Sequence, residues 1–185
     1  MNNLKEITWE HHKNAERQTF VKEMFAKTPQ ISHKRYATYL FNQHPQYNML
    51  EMLSMMHGLF DSMPELRRAP SIHDDYQEMW GTANPNQPPL MPVVKEYMDH
   101  LMSIKDDADK LMAHVYVRHM GDLSGGQMIA KRVPGEGRMY KFDKGHDELK
   151  ELVRAKLDDS MADEAKLCFD FATKMFIQLG EAKEA

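Results

Sequence analysis

The chain of 185 residues has a single cysteine, Cys168, so it can form no internal disulfide, and this fits a reducing compartment. It has no apolar run near the ~18 residues needed to cross a bilayer. Its start, MNNLKEITWE, holds no apolar leader core, and its end, EAKEA, is polar. A soluble, cytoplasmic protein without a membrane partner is expected. Positive charge is not in excess either: the formal net charge of −4 gives no general attraction to nucleic acid. Alternation of period two, the mark of a half-buried strand, is nowhere sustained. One domain spanning 1–185 is expected, long enough to bury its own core.

What is present is helical period. Leu4, Ile7, His11 and Ala15 recur at steps of three and four, and a short segment with Phe20 and Met24 ends at Thr28-Pro29. Ser32 starts a longer helix carrying Tyr36, Leu40, Gln43, Tyr47 and Leu50 to a stop at Gly58, with a kink expected at Pro45. Further helices are expected over 64–80, 92–103, 106–132, 146–157 and 162–179. The stretch GTANPNQPPLMP, 81–92, holds four of the nine prolines and reads as a loop. With no internal repeat, these elements predict an all-α, single-domain multi-helix bundle. Among the seventeen methionines, Met49, Met52, Met55 and Met56 read as core or as an adaptable pocket wall.

The stretch GDLSGGQMIAKR, 121–132, conflicts with its surroundings, because each glycine inside a helix costs about 1 kcal/mol relative to alanine. Its LSGGQ core is also the signature pentapeptide of ABC transporter ATPases. That reading fails for want of any GKS or GKT phosphate loop, and because these glycines lie within a long helical pattern rather than at a helix start. Gly121 and Gly125 are four apart and define a strip nearly free of side chain beside Ser124. Such a strip serves either close helix packing or contact with a flat ligand, and Gly125-Gly126 invites a kink. Tyr116, Arg118 and Asp122 bring polar groups to the same helix. They form either a surface ion pair or a wet pocket whose water chain delivers protons. No glutamate has a histidine three residues later, as di-iron bundles require.

Three segments together resemble a known family. YVRHMGDLSGGQMIAK, 116–131, is similar to the distal helix of the biliverdin-forming heme oxygenases, Y-x-R-Y-L-G-D-L-S-G-G-Q. LKEITWEHHKNAE, 4–16, resembles the family's proximal helix, and LKELVRAKL, 149–157, the segment that carries its basic residues. The resemblance spans nearly the whole chain in the right order. It implies heme b lying between a proximal helix and a kinked, glycine-rich distal helix, as both cofactor and substrate.

The roles that follow are those the resemblance implies. His12 falls on the axial iron ligand, a choice that periodicity does not make over His11, and Glu16 on the carboxylate near its free ring nitrogen. Lys5, Lys150 and Arg154 match the positions that hold heme propionates, with Tyr116 a polar contact at the same end. Gly121, Ser124 and Gly125 match the backbone beside the porphyrin, and the catalytic set is Asp122, Arg118 and Tyr116, organising a distal water network without touching iron. Heme would be opened by dioxygen and external electrons, at the α position, to biliverdin, carbon monoxide and ferrous iron. A heme carrier that keeps the fold without turnover is the competing reading; intact Gly121, Asp122 and Gly125 argue against it. Ferredoxin or another reductase is the expected electron donor, docking on a basic face with Lys13, Arg17 and Lys22, and a bilin reductase is the possible downstream partner; a monomer is expected. His119 and Met120 depart from the family pattern, which has tyrosine and leucine there, and 133–145 is short.

Overall fold

The computed structural model describes residues 2–81 and 84–182. Among them stand α1 (Leu4–Ile7), α2 (Trp9–Glu16), α3 (Thr19–Phe25), α4 (His33–Met56), α5 (Ala69–Trp80), α6 (Pro92–Ser103), α7 (Ala108–Leu123), α8 (Gly126–Ala130), α9 (His146–Arg154) and α10 (Ala162–Glu181). Single 3-10 turns occur at Pro64–Leu66, Arg138–Tyr140 and Asp159–Met161, and no strand is present among the described residues. The all-α expectation therefore holds. Thr82 and Ala83 of the expected loop, and the last three residues of the polar end, lie outside the described residues.

Three expected helices are interrupted, each for a local reason. The first breaks at Thr8, whose hydroxyl donates to the Leu4 carbonyl at 2.7 Å and whose ψ opens to 1°; a back-bonding threonine bends a helix in this way. The helix expected from Pro64 starts at Ala69 instead, with Pro70 in its first turn, where a missing amide hydrogen costs nothing. The helix expected over 106–132 ends at Leu123. Ser124, at φ −109° and ψ −90°, turns the chain one residue before the two glycines, and α8 resumes from Gly126.

Two cores share the long helices. Leu4, Leu50, Leu111, Leu149 and Ala165 meet in one, and Phe20, Tyr36, Leu40, Val94 and Met175 in the other. Both α4 and α10 contribute to each, so they run as spines from one core to the other, with Pro45 inside α4. The methionine expectation holds for Met49, half-buried against the first core, and fails for the other three on α4. Met52, Met55 and Met56 are 55 %, 44 % and 82 % exposed, because Leu50, Glu51 and Ser54 take the inward face there. The buried methionines are others, among them Met24, Met63, Met112, Met139 and Met175. No helix among the described residues is long and apolar enough to cross a membrane.

Candidate active site

Helix α2 and the break at Ser124 border an open cleft of about 960 Å³, near the upper end of the about 300–1,000 Å³ usual for small-molecule sites. Its walls are α2 and the C-terminal half of α7, and α10 adds Phe169, Ala172 and Phe176. Lys5, His12, Glu16, Tyr116, Arg118, Gly121, Asp122, Ser124, Gly125 and Arg154 all line it. Lys150 does not. It lies one turn before Arg154 on α9, half-buried and outside the cleft wall.

The glycines resolve into two kinds. A Cβ built on Gly121 meets nothing within 4 Å, and one on Gly125 meets only the Gly121 carbonyl at 4.0 Å. No helix packs against them, so close helix packing does not explain their lack of side chain; the space they leave belongs to the cleft. Gly126 is different, because a Cβ there would lie 2.7 Å from the Tyr140 ring. It is a packing glycine, holding α8 against the turn at Arg138–Tyr140.

Behind the glycines the α7 wall is held by buried hydrogen bonds to α4 and α6. Arg118 donates from Nε to the Tyr97 hydroxyl at 3.1 Å, from Nη1 to Gln43 Oε1 at 3.2 Å and from Nη2 to Gln46 Oε1 at 2.8 Å. It is not paired with Asp122, which instead accepts from the Tyr47 hydroxyl at 2.8 Å. Burial pushes the Asp122 carboxyl up to about 7, against the downward pull of His119, the Tyr47 hydroxyl, Arg68 and Arg118. A carboxyl poised there exchanges its proton near neutral pH. Burial and the Asp122 charge hold Tyr47 well above its ordinary range, so its hydroxyl remains a donor.

His119 lies behind Asp122 and is wholly buried. Its Nδ1 is 3.1 Å from the Val115 carbonyl and its Nε2 2.7 Å from Glu51 Oε2. Both partners accept, so the ring that satisfies them carries a hydrogen on each nitrogen and a positive charge. Glu51, also fully buried, accepts from the amides of Arg68 and Ala69 at 2.6 and 3.0 Å, at the start of α5. Burial works against its charge, but the bonds from His119, Ala69 and Arg68 hold its carboxyl below the ordinary range. The ring also meets Tyr47 edge-on, with centroids 5.4 Å apart.

The α2 wall is built more loosely. The His12 ring stacks on Phe169 of α10 with centroids 5.0 Å apart, and its Nε2 lies 2.6 Å from Glu16 Oε1 one turn on. His11 points elsewhere, its Nδ1 2.7 Å from Asp170 Oδ1, and it is absent from the cleft lining. At the rim, Lys5 and Arg154 supply cations beside half-buried Tyr116, and Arg154 is also bonded to Glu151 at 2.8 Å. Lys13 is occupied by Glu10 at 3.1 Å, and Lys22 is exposed on α3.

Several site residues were not singled out from the sequence: Gln43, Gln46, Tyr47, Tyr97, Glu51 and Tyr140. The only available signal was the excess of Asn, Gln and Tyr on the inward face of α4, where a helix of such length would bury aliphatic residues.

A bundle with an imidazole on one side of a cleft, a bare helix face on the other and cations at the rim is of the class that holds a flat, carboxylated ligand between two helices. A family model described as heme oxygenase matches residues 1–177. The chain is 28 % identical over 206 residues to a heme oxygenase of Pyropia yezoensis, covering 98 % of this chain and 86 % of that protein. Its fold is similar to the crystal structure of heme oxygenase-1 from the cyanobacterium Synechocystis in complex with heme, with a TM-score of 0.82, 25 % identity and coverage of 98 % and 94 % of the two chains. The structure of a heme oxygenase from Leptospira interrogans matches with a TM-score of 0.80, 28 % identity and coverage of 94 % and 96 %. The chain belongs to the heme oxygenase family, and it is an enzyme that degrades heme to biliverdin.

Proposed function

We propose that heme lies in the cleft with His12 toward its iron and Gly121 and Gly125 against its opposite face. The observation that carries this reading is the space in front of the two glycines, which no part of the protein fills. Bound heme supplies the iron that activates dioxygen and the ring carbon that is oxidised, and the products are biliverdin, carbon monoxide and ferrous iron. The protein's part is binding, positioning and proton supply.

Glu16 holds His12 Nε2, which leaves Nδ1 as the nitrogen open to the metal unless the ring turns to exchange the two, and either way the carboxylate orients the imidazole. Lys5, Arg154 and Tyr116 give charge-assisted bonds to the ligand's carboxylates at the rim. Lys150 is given no contact. The bare backbone at Gly121 and Gly125 would let α7 approach a bound heme closely and so would restrict which ring edge is open to oxidation, the α position being the expected one. Asp122 holds and releases a proton at the cleft, supplied through water that its carboxyl and the Tyr47 hydroxyl orient, while Arg118 fixes the wall by its bonds to α4 and α6. Electrons arrive from a reductase such as ferredoxin, docked on the basic face of α2 and α3.

The test is a pair of variants. His12→Ala should abolish the axial-imidazole heme spectrum, whereas Asp122→Ala should keep heme within about tenfold of wild-type affinity and lower biliverdin formation by about 10²–10⁴-fold. Unchanged biliverdin yield from the second, or an unchanged spectrum from the first, removes that residue from the mechanism.

A further inference from the structure

Where α6, α7 and α10 meet, three potential metal ligands converge away from the cleft. His114 Nε2 lies 2.8 Å from Glu164 Oε1, and His100 Nε2 reaches the same oxygen. One ligand atom from each of the three residues falls within 4.8 Å of the others. His114 is fully buried, Glu164 is 9 % exposed and His100 is 22 % exposed, so the cluster has a floor and a mouth.

The floor is tethered. The Tyr97 hydroxyl lies 2.7 Å from His114 Nδ1, receives Arg118 Nε at 3.1 Å and stands 3.7 Å from Cys168 Sγ. Arg118 can only donate, so it occupies one acceptor site of the Tyr97 oxygen. The hydroxyl hydrogen goes either to His114 Nδ1 or to the sulfur, and when it turns to the sulfur the remaining lone pair accepts from His114 Nδ1. That arrangement leaves His114 Nε2 with a lone pair facing an anionic oxygen. Two acceptors at that separation need a cation between them, either a proton or a metal ion. A ligating histidine whose other nitrogen is fixed by a hydrogen bond is the usual outer arrangement of a metal site.

We infer that His100, His114 and Glu164 bind one divalent first-row transition metal ion, with a fourth position open to water. Two imidazoles and a carboxylate match the donor set of three-ligand zinc sites, and imidazole nitrogens select against magnesium and calcium. Bonds of about 2.0–2.1 Å place ligands farther apart than the present contacts, so the cluster must open slightly. His100, at the mouth, is the side chain free to withdraw. The bound ion would cross-link three helices, one turn of α7 below Arg118.

The experiment uses tag-free protein saturated with heme, so that the cleft and His12 are filled, equilibrated with Zn²⁺ against a competing chelator. About one Zn²⁺ per chain is expected, with affinity lowered about tenfold or more by His100→Ala and by Glu164→Gln, and unchanged by His73→Ala. Co²⁺ in place of Zn²⁺ should show the visible bands of a four-coordinate ion, lost in His100→Ala. Failure to retain zinc, or equal retention in wild type and His100→Ala, overturns the site. Because His100 is partly exposed, its variant decides the matter even if Glu164→Gln does not fold.

Discussion

The two walls of the cleft are held together in different ways. On α7, Arg118, His119 and Asp122 are fixed by side chains of α4 and α6, and each is at least nine-tenths buried. On α2, His12 is 35 % exposed and takes its polar contact from its own helix, with one ring contact to α10. The α7 wall is therefore fixed by the protein alone, whereas under the proposed placement of heme the α2 wall would be completed by the ligand. Such a division suits a site whose proton delivery must be pre-organised but whose ligand is also consumed and must leave.

The comparison can be broken most severely at Glu51. Glu51→Gln leaves the buried His119 charge without its counterion, and breaking a buried pair from one side costs about 3–5 kcal/mol. Urea unfolding should show that loss; a cost below about 1 kcal/mol would mean the α7 wall does not depend on this anion.

A smaller effect, with a pH signature, is expected at Asp122. Its folded value of about 7 lies above the unfolded 3.8, so the folded chain binds the extra proton between them. The stability this group contributes is complete below about pH 4, declines as pH rises from there, and is fully lost once pH has risen through 7. Asp122→Asn should therefore stabilise the heme-free protein by about 2–4 kcal/mol at pH 8 and by little at pH 4. Equal effects at both pH values would show that this carboxyl is not held neutral by burial.

The mildest test separates the glycines. Gly126→Ala overpacks against Tyr140 and should cost the heme-free protein about 1–3 kcal/mol, whereas Gly125→Ala should cost less than about 1 kcal/mol yet weaken heme binding. If both variants melt alike and bind heme alike, the two kinds of glycine are one.

How much of this was legible in the sequence follows from the range of each interaction. Helix periods and the glycine spacing are local, so the all-α fold and the bare strip at Gly121 and Gly125 could be read directly. The contacts that fix the α7 wall are not local: Tyr47 reaches Asp122 across 75 positions, Gln46 reaches Arg118 across 72, and Glu51 reaches His119 across 68. Nothing in the run of α4 announces which polar residue will find which partner. The break at Thr8 was hidden for another reason, while the kink expected at Gly125-Gly126 falls one residue earlier, at Ser124. Threonine and serine are both tolerated within helices, and what stops the helix is a side-chain bond at Thr8 and a backbone turn at Ser124. Met52, Met55 and Met56 were misplaced because a helix with polar residues on its inner face inverts the usual rule of side-chain polarity.

The carboxylate of Glu51 binds the first amides of α5 and the imidazole of α7 at once. Fraying of α5 at its beginning would strip hydrogen bonds from that anion and loosen its hold on the ring behind Asp122. Two segments with no shared chain neighbour are thereby bound into one cooperative unit, and the charge behind Asp122 is anchored to the first turn of another helix.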